Sequence, residues 1–265
     1  MTDGPAITVD VTDGVATLTL NRPEKRNAIG PEMSDALALA AERCGGDPAV
    51  RCVLLTGAGS FFSVGGDVDL FSQAGDDAAA IVGDLAASFH AGVLCLATMS
   101  KPLVTAINGP AAGAGLSLAM LGDIAIAAQS AQFAAAYTAI GLTPDGGASW
   151  MLPRLVGLRR AQEMVLTNRR VGAEEAAVIG LVTRTVPDAK VMTAAREAAH
   201  RLAQGAVGAL ATCRRLLLDG ADRSLAAQLD EEARAIAAAS GSPEGREGIN
   251  AFLEKRRPSF PAAPA

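Results

Sequence analysis

With only two histidines in 265 residues, His90 and His200, and no HExxH or Cys/His cluster, the chain has little material for a metal centre. Its four cysteines, Cys44, Cys52, Cys95 and Cys213, are scattered without a CxxC pair. That spacing reads as reduced thiols in a cytosolic protein, not as a disulfide frame or redox motif. Half of the chain is apolar, yet no uninterrupted run is expected to be long and apolar enough to span a bilayer. The opening MTDGPAITVDV lacks the basic-then-apolar order of a secretory signal, so a cytoplasmic location without a membrane partner is expected. A net charge of −5 argues against a nucleic-acid partner and leaves room for a local basic patch facing an anionic ligand. Common nucleotide and nucleophile signatures are missing too. Gly113-Ala114-Gly115 is not followed by the third glycine of GxGxxG, because Leu118 stands there. No GKS or GKT occurs, and Ser117 lies in GLSLA, not in GxSxG.

What remains is a pair of glycine-rich stretches, FFSVGGDVDL (Phe61 to Leu70) and INGPAAGAGLSLAM (Ile107 to Met120). Each follows an apolar, strand-like run, and the second opens into a helical pattern. Glycines allow a backbone to come close to a ligand, and N–H groups at a helix start favour negative charge. Two such donors on one carbonyl oxygen form an oxyanion hole, in which losing one donor costs about 3 kcal/mol of barrier. As sequence alone, the same glycines read equally well as turns.

Strand and helix patterns place these loops. Ile7, Val9 and Val11 alternate with polar residues, Asp13-Gly14 signals a tight turn, and Val15 to Leu20 resumes the extended pattern, which predicts a hairpin. Pro31 suits a first helical turn. Val50 to Thr56, Leu103 to Ile107 and Ile124 to Ala128 read as buried strands, and Asp76 to Thr98 as a helix. Strands alternating with helices indicate an α/β layered core. Beyond it, Val191 to Gln204, Val207 to Leu218, Ser224 to Ala239 and Pro243 to Glu254 read as successive helices. The expected division is a core over 1–195 and a helical region over 196–265, ending in a loose Pro/Ala-rich tail.

Asp145 follows Pro144 and precedes Gly146-Gly147, in a turn leading into an apolar helical pattern. It reads as a helix N-cap or as a carboxylate at the rim of a pocket lined by Ile140, Leu142, Trp150 and Met151. Apolar surroundings would make that carboxylate a better proton acceptor. Tyr137, the only tyrosine, stands eight residues earlier and reads as a core residue with a satisfied hydroxyl. Phe62, Leu70 and Trp150 are candidate walls of a ligand pocket.

The succession LNRPEKRNAI, FFSVGGDVDL, NGPAAGAGLSLAMLGDIAIAA, GLTPDGG, LPRLVG and AFLEKRRPSF resembles the crotonase superfamily of enoyl-CoA hydratases and isomerases, from about Leu20 to Phe260. The resemblance implies a spiral of ββα units, with C-terminal helices that form a homotrimer or a dimer of trimers. It implies an acyl-CoA substrate, no further cofactor and no metal. By motif position, the thioester oxygen falls to the N–H groups of Gly66 and Ala114. Val64, Gly66 and Val68 match the adenine cradle, and Lys25 and Arg26 a region near the CoA phosphates. Phe252 and Lys255 match positions that reach a neighbour's CoA; Lys255 also reads as a solvated helix end. The two glutamates of the hydratases are replaced by Ser117 and Tyr137, whereas Asp145 falls where dienoyl-CoA and ring-epoxide isomerases carry an aspartate. The implied activity is an isomerase with Asp145 as acid/base. A hydratase, a ring-epoxide phenylacetyl-CoA isomerase and a non-catalytic acyl-CoA-binding protein are the alternatives.

Overall fold

A computed structural model describes residues 4–260, so the expected loose tail lies from residue 261 onward outside the described residues. Strands β1 (Ile7–Thr12) and β2 (Val15–Leu20) form the expected antiparallel hairpin. Asp13 and Gly14 both take positive φ, 50° and 79°, as a two-residue turn of matching twist requires. Helix α1 (Pro31–Gly46) carries Pro31 in its first turn and leads to β3 (Cys52–Gly57). A short α2 (Val68–Gln73) and the long α3 (Ala78–Thr98) precede β4 (Leu103–Ile107). Then come β5 (Ala111–Ala112), α4 (Ala114–Met120), β6 (Ile124–Ala128) and β7 (Gln132–Ala134).

Next follow α5 (Ala148–Val156), α6 (Leu158–Thr167), β8 (Val171–Gly172), α7 (Ala173–Val178) and β9 (Arg184–Val186). Four helices close the chain: α8 (Val191–Ala203), α9 (Val207–Gly220), α10 (Leu225–Gly241) and α11 (Pro243–Leu253).

The main sheet has the order β1-β2-β3-β4-β6-β9, parallel from β2 onward, and β5-β7-β8 form a smaller second sheet. All residues of β3 and β4 are buried, which is why these central strands read as unbroken apolar runs without alternation. Because β3 and β4 are parallel neighbours, the two glycine-rich loops leave their carboxyl ends side by side. Ligands in open parallel sheets are bound at that edge.

Helix α3, with the turn before it, corrects the expectation about membrane spans: Gly75–Thr98 is long and apolar enough, by length and composition, to cross a bilayer. Leu85, Phe89, Val93 and Leu96 are nevertheless buried, and the helix packs along α1. Helix α8 runs through the expected boundary at residue 195 and lies on β3, β4 and β6, burying Val191, Ala195, Ala198, Ala199 and Ala203. Helices α9, α10 and α11 follow it and pack on one another, and Arg214 of α9 ties them to the core through Asp123 and the Met99 and Leu96 carbonyls. Helices α9 and α10 bury no residue of their own, and Leu217, Leu225, Leu229 and Ile236 are exposed.

Candidate active site

The loop after β3 is fastened by two amide side chains, Asn27 and Asn108, the latter donating through Nδ2 to the Gly59 carbonyl at 2.9 Å. Asn27, fully buried, donates through Nδ2 to the carbonyls of Ala58 (2.9 Å), Phe61 (2.9 Å) and Phe62 (3.1 Å). Its Oδ1 accepts the Arg22 N–H at 2.9 Å. Ser63 Oγ donates to the Asn27 carbonyl at 2.7 Å and accepts the Gly65 N–H at 3.2 Å. The two loops are then tied to each other, because the Ala112 N–H donates to the Ser63 carbonyl at 3.0 Å.

Gly66 forms a parallel bridge with Ile29: the Ile29 N–H reaches the Gly65 carbonyl at 2.7 Å, and the Asp67 N–H reaches the Ile29 carbonyl at 3.0 Å. In this pattern the N–H of the central residue points away from its partner strand. Ala114 is the first residue of α4, where an N–H has no intrahelical acceptor. Among the described residues neither N–H donates to a backbone carbonyl outside regular elements. The backbones at this point are in close contact. A Cβ on Gly65, at φ +92°, would stand 3.1 Å from the Ala114 nitrogen and 2.7 Å from the Ala112 oxygen. Glycine at position 65 therefore keeps the approach to the Ala114 N–H open.

The structure brings Ser117, Tyr137 and Asp145 together, Ser117 standing on the helix that Ala114 opens. Asp145 is half-buried in the turn before α5, and its side chain caps no helix; Gly147 stands at the N-cap. The Tyr137 hydroxyl donates to Asp145 Oδ1 at 2.7 Å. Ser117 Oγ, fully buried, donates to the Asp145 backbone carbonyl at 3.0 Å and lies 3.3 Å from the Tyr137 hydroxyl. Each hydroxyl thus spends its single proton on Asp145. Burial, and then the Asp145 charge, hold the Tyr137 phenol well above its ordinary range, so it stays a donor. The Gly146 N–H donates to His90 Nε2 at 2.9 Å. Gly146 itself has φ +57°, and a Cβ there would meet Phe89 at 2.6 Å and Ser117 at 2.9 Å, so the turn is wedged between α3 and α4.

Several expected residues sit elsewhere. Phe62 is fully buried in the core and cannot wall an acyl group. Ile140, Leu142 and Trp150 are exposed in the single chain, so the expected apolar pocket around Asp145 is not closed by them; Met151 is half-buried beside Gly147. The Arg154 guanidinium covers the Trp150 ring at 3.9 Å. Lys25 and Arg26 lie exposed beside the first loop, Lys25 paired with Asp67 at 3.1 Å and Arg26 over the Phe61 ring at 5.3 Å. Val64 is half-buried and Val68 exposed on the same loop. Phe252 and Lys255 are exposed at the end of α11, which packs on α9 and α10, and are not gathered with the other candidates.

Free main-chain donors and a held carboxylate carried by adjoining segments are the parts of an enzyme that steadies an oxyanion while a proton moves. Residues 10–263 match the model of the enoyl-CoA hydratase/isomerase family, and the chain belongs to that family. It is 40% identical to a Rhodobacter capsulatus protein named "Probable enoyl-CoA hydratase", over 96% of this chain and 97% of the relative. It is 39% identical to the 1,2-epoxyphenylacetyl-CoA isomerase of Escherichia coli, over 94% of this chain and 96% of that one. Among solved structures, an enoyl-CoA hydratase from Polaromonas sp. JS666 superposes with a TM-score of 0.92 at 32% identity, covering 96% of this chain and 99% of that one. The fold is thus the crotonase fold expected from the motifs, and the family acts on acyl-CoA thioesters.

Proposed function

We propose that the protein is an acyl-CoA isomerase that shifts a double bond, with Asp145 as the acid/base. One observation carries this reading: the Asp145 carboxylate is held by Tyr137 at 2.7 Å, while Ser117 and Tyr137 are committed to that residue. Hydration needs a second group to position and activate water. Here the two hydroxyls that could do so are already donating to Asp145. Isomerisation needs one carboxylate within reach of two carbons. The N–H groups of Gly66 and Ala114 stabilise the thioester enolate formed when Asp145 takes a proton from one carbon. The same carboxyl then returns it to another carbon of the conjugated system.

The same reading gives Val64, Gly66 and Val68 to the adenine, Lys25 and Arg26 to the CoA phosphates, and Phe252 and Lys255 to a neighbouring subunit's CoA. It takes the exposed apolar residues of α9 and α10 as surfaces for a homotrimer or a dimer of trimers. A ring-epoxide substrate is the second reading, favoured by the 39% identity to the Escherichia coli isomerase. The deciding experiment offers 3-enoyl, 2-enoyl and ring-epoxide CoA esters and identifies products by mass spectrometry and NMR. An unchanged mass with a moved double bond is the expected result. Addition of water to the 2-enoyl ester, without isomerisation of the others, would overturn the isomerase reading.

A further inference from the structure

We infer that His90 is a positioning residue: its neutral imidazole, protonated on Nδ1, holds the turn that aims Asp145. The inference rests on the role of Asp145 proposed above. Gly146 is buried, and a buried N–H without a partner is destabilising. His90 Nε2 supplies that partner at 2.9 Å. An imidazole nitrogen accepts only when it carries no proton, so the bond itself fixes the tautomer.

The hold complements the other two. Ser117 takes the Asp145 carbonyl at 3.0 Å, Tyr137 takes the carboxylate at 2.7 Å, and His90 takes the following amide at 2.9 Å. These anchors come from α4, from the segment before the turn, and from α3 respectively. The carbonyl of residue 145 and the amide of residue 146 belong to one peptide plane. Ser117 and His90 therefore grip that plane from both of its polar ends, and only rotation of the Asp145 side chain remains for Tyr137 to fix. His90 does not touch Asp145 in the recorded hydrogen bonds; it acts through the peptide.

Displacing a catalytic group by about 1 Å can cost roughly a hundredfold in rate. His90→Ala should therefore lower kcat for 3-hexenoyl-CoA by about 10- to 100-fold, with KM close to wild type and Tm lower by a few degrees. His90→Gln places an amide oxygen near the former Nε2 and should recover most of that loss. Nitrogen-15 NMR of the wild-type imidazoles, only two in the chain, should show His90 protonated on Nδ1 and bare on Nε2 at neutral pH. Wild-type kcat in His90→Ala, a proton on Nε2, or a His90→Gln variant as slow as His90→Ala would each overturn the role. If His90→Ala does not fold, the Gln variant and the tautomer still decide. If the wild type moves no double bond in any 3-enoyl ester, the double-bond-shift reading falls, while the tautomer measurement tests His90 independently.

Discussion

Replacing Asp145 by asparagine separates proton transfer from everything else the residue does. The Tyr137 hydroxyl at 2.7 Å can donate to an amide oxygen as it does to a carboxylate, and the Ser117 bond goes to the backbone carbonyl, which is untouched. The exchange turns one charge-assisted hydrogen bond into a neutral one, a loss of about 1 kcal/mol. For a chain of this size that lowers Tm by about 2–4 °C. The amide cannot accept the substrate proton. A positioned general base contributes about 10²–10⁴ in rate, or roughly 3–5 kcal/mol of barrier. The Gly66 and Ala114 donors remain, so a saturated ester such as hexanoyl-CoA should bind within about threefold of wild type by calorimetry. Turnover of 3-hexenoyl-CoA, followed by proton NMR in heavy water, should fall by the full 10²–10⁴, and deuterium uptake should fall with it. Turnover within a few fold of wild type would mean that Asp145 moves no proton. Equal loss of binding and rate would mean that it holds the substrate instead.

Tyr137→Phe removes the one hydrogen bond that the Asp145 carboxylate accepts among the described residues, and should cut kcat by about tenfold at nearly unchanged KM, as steady-state kinetics would show. Since the phenol is raised in the folded state, its contribution to stability is intact below an unfolded value of about 10 and declines as pH climbs beyond it. Thermal melts above that pH should therefore fall more steeply for wild type than for the phenylalanine variant. Gly65→Ala sets a methyl 3.1 Å from the Ala114 nitrogen at a φ of +92°, and should lower kcat/KM by about 10²–10³ together with Tm; unaltered kinetics would place the thioester oxygen elsewhere. Cys52, whose thiol burial pushes up to about 12, should resist iodoacetamide in the native protein and react only after unfolding, as peptide mass mapping would report.

Long elements with a clear period were legible before any coordinates. Leu103–Ile107 and Ile124–Ala128 are strands at the expected residues, and the hairpin turn sits on Asp13-Gly14. The small sheet was not legible, because β5 and β8 are two residues long and β7 three, too short to carry any alternation. Position 145 could be singled out from its Pro-Asp-Gly-Gly turn, yet its choice between capping and chemistry depended on contacts with residues 117 and 137 that local sequence does not encode. His90 was counted only as a scarce residue, since it follows the buried Phe89 on an otherwise apolar helix and its use appears only when α3 meets the turn. Phe62 misled for the opposite reason: a large apolar side chain beside a glycine-rich loop looks like a pocket wall, but the loop folds it inward. The expectation that no run is span-length failed because α3 is 21 residues long and Asp84 is its one formally charged residue.

On the proposed mechanism, helix α4 serves both halves of the chemistry. Ala114 opens it and Ser117 follows three residues later, about 4.5 Å further along the axis. The distance between the oxyanion grip and the proton carrier is thereby ruled by a rigid backbone strut whose every residue is sheltered from solvent. Substitutions on the Asp145 turn should thus retune which carbon loses or regains the proton without disturbing the grip. A bend in that strut would spoil both functions at once.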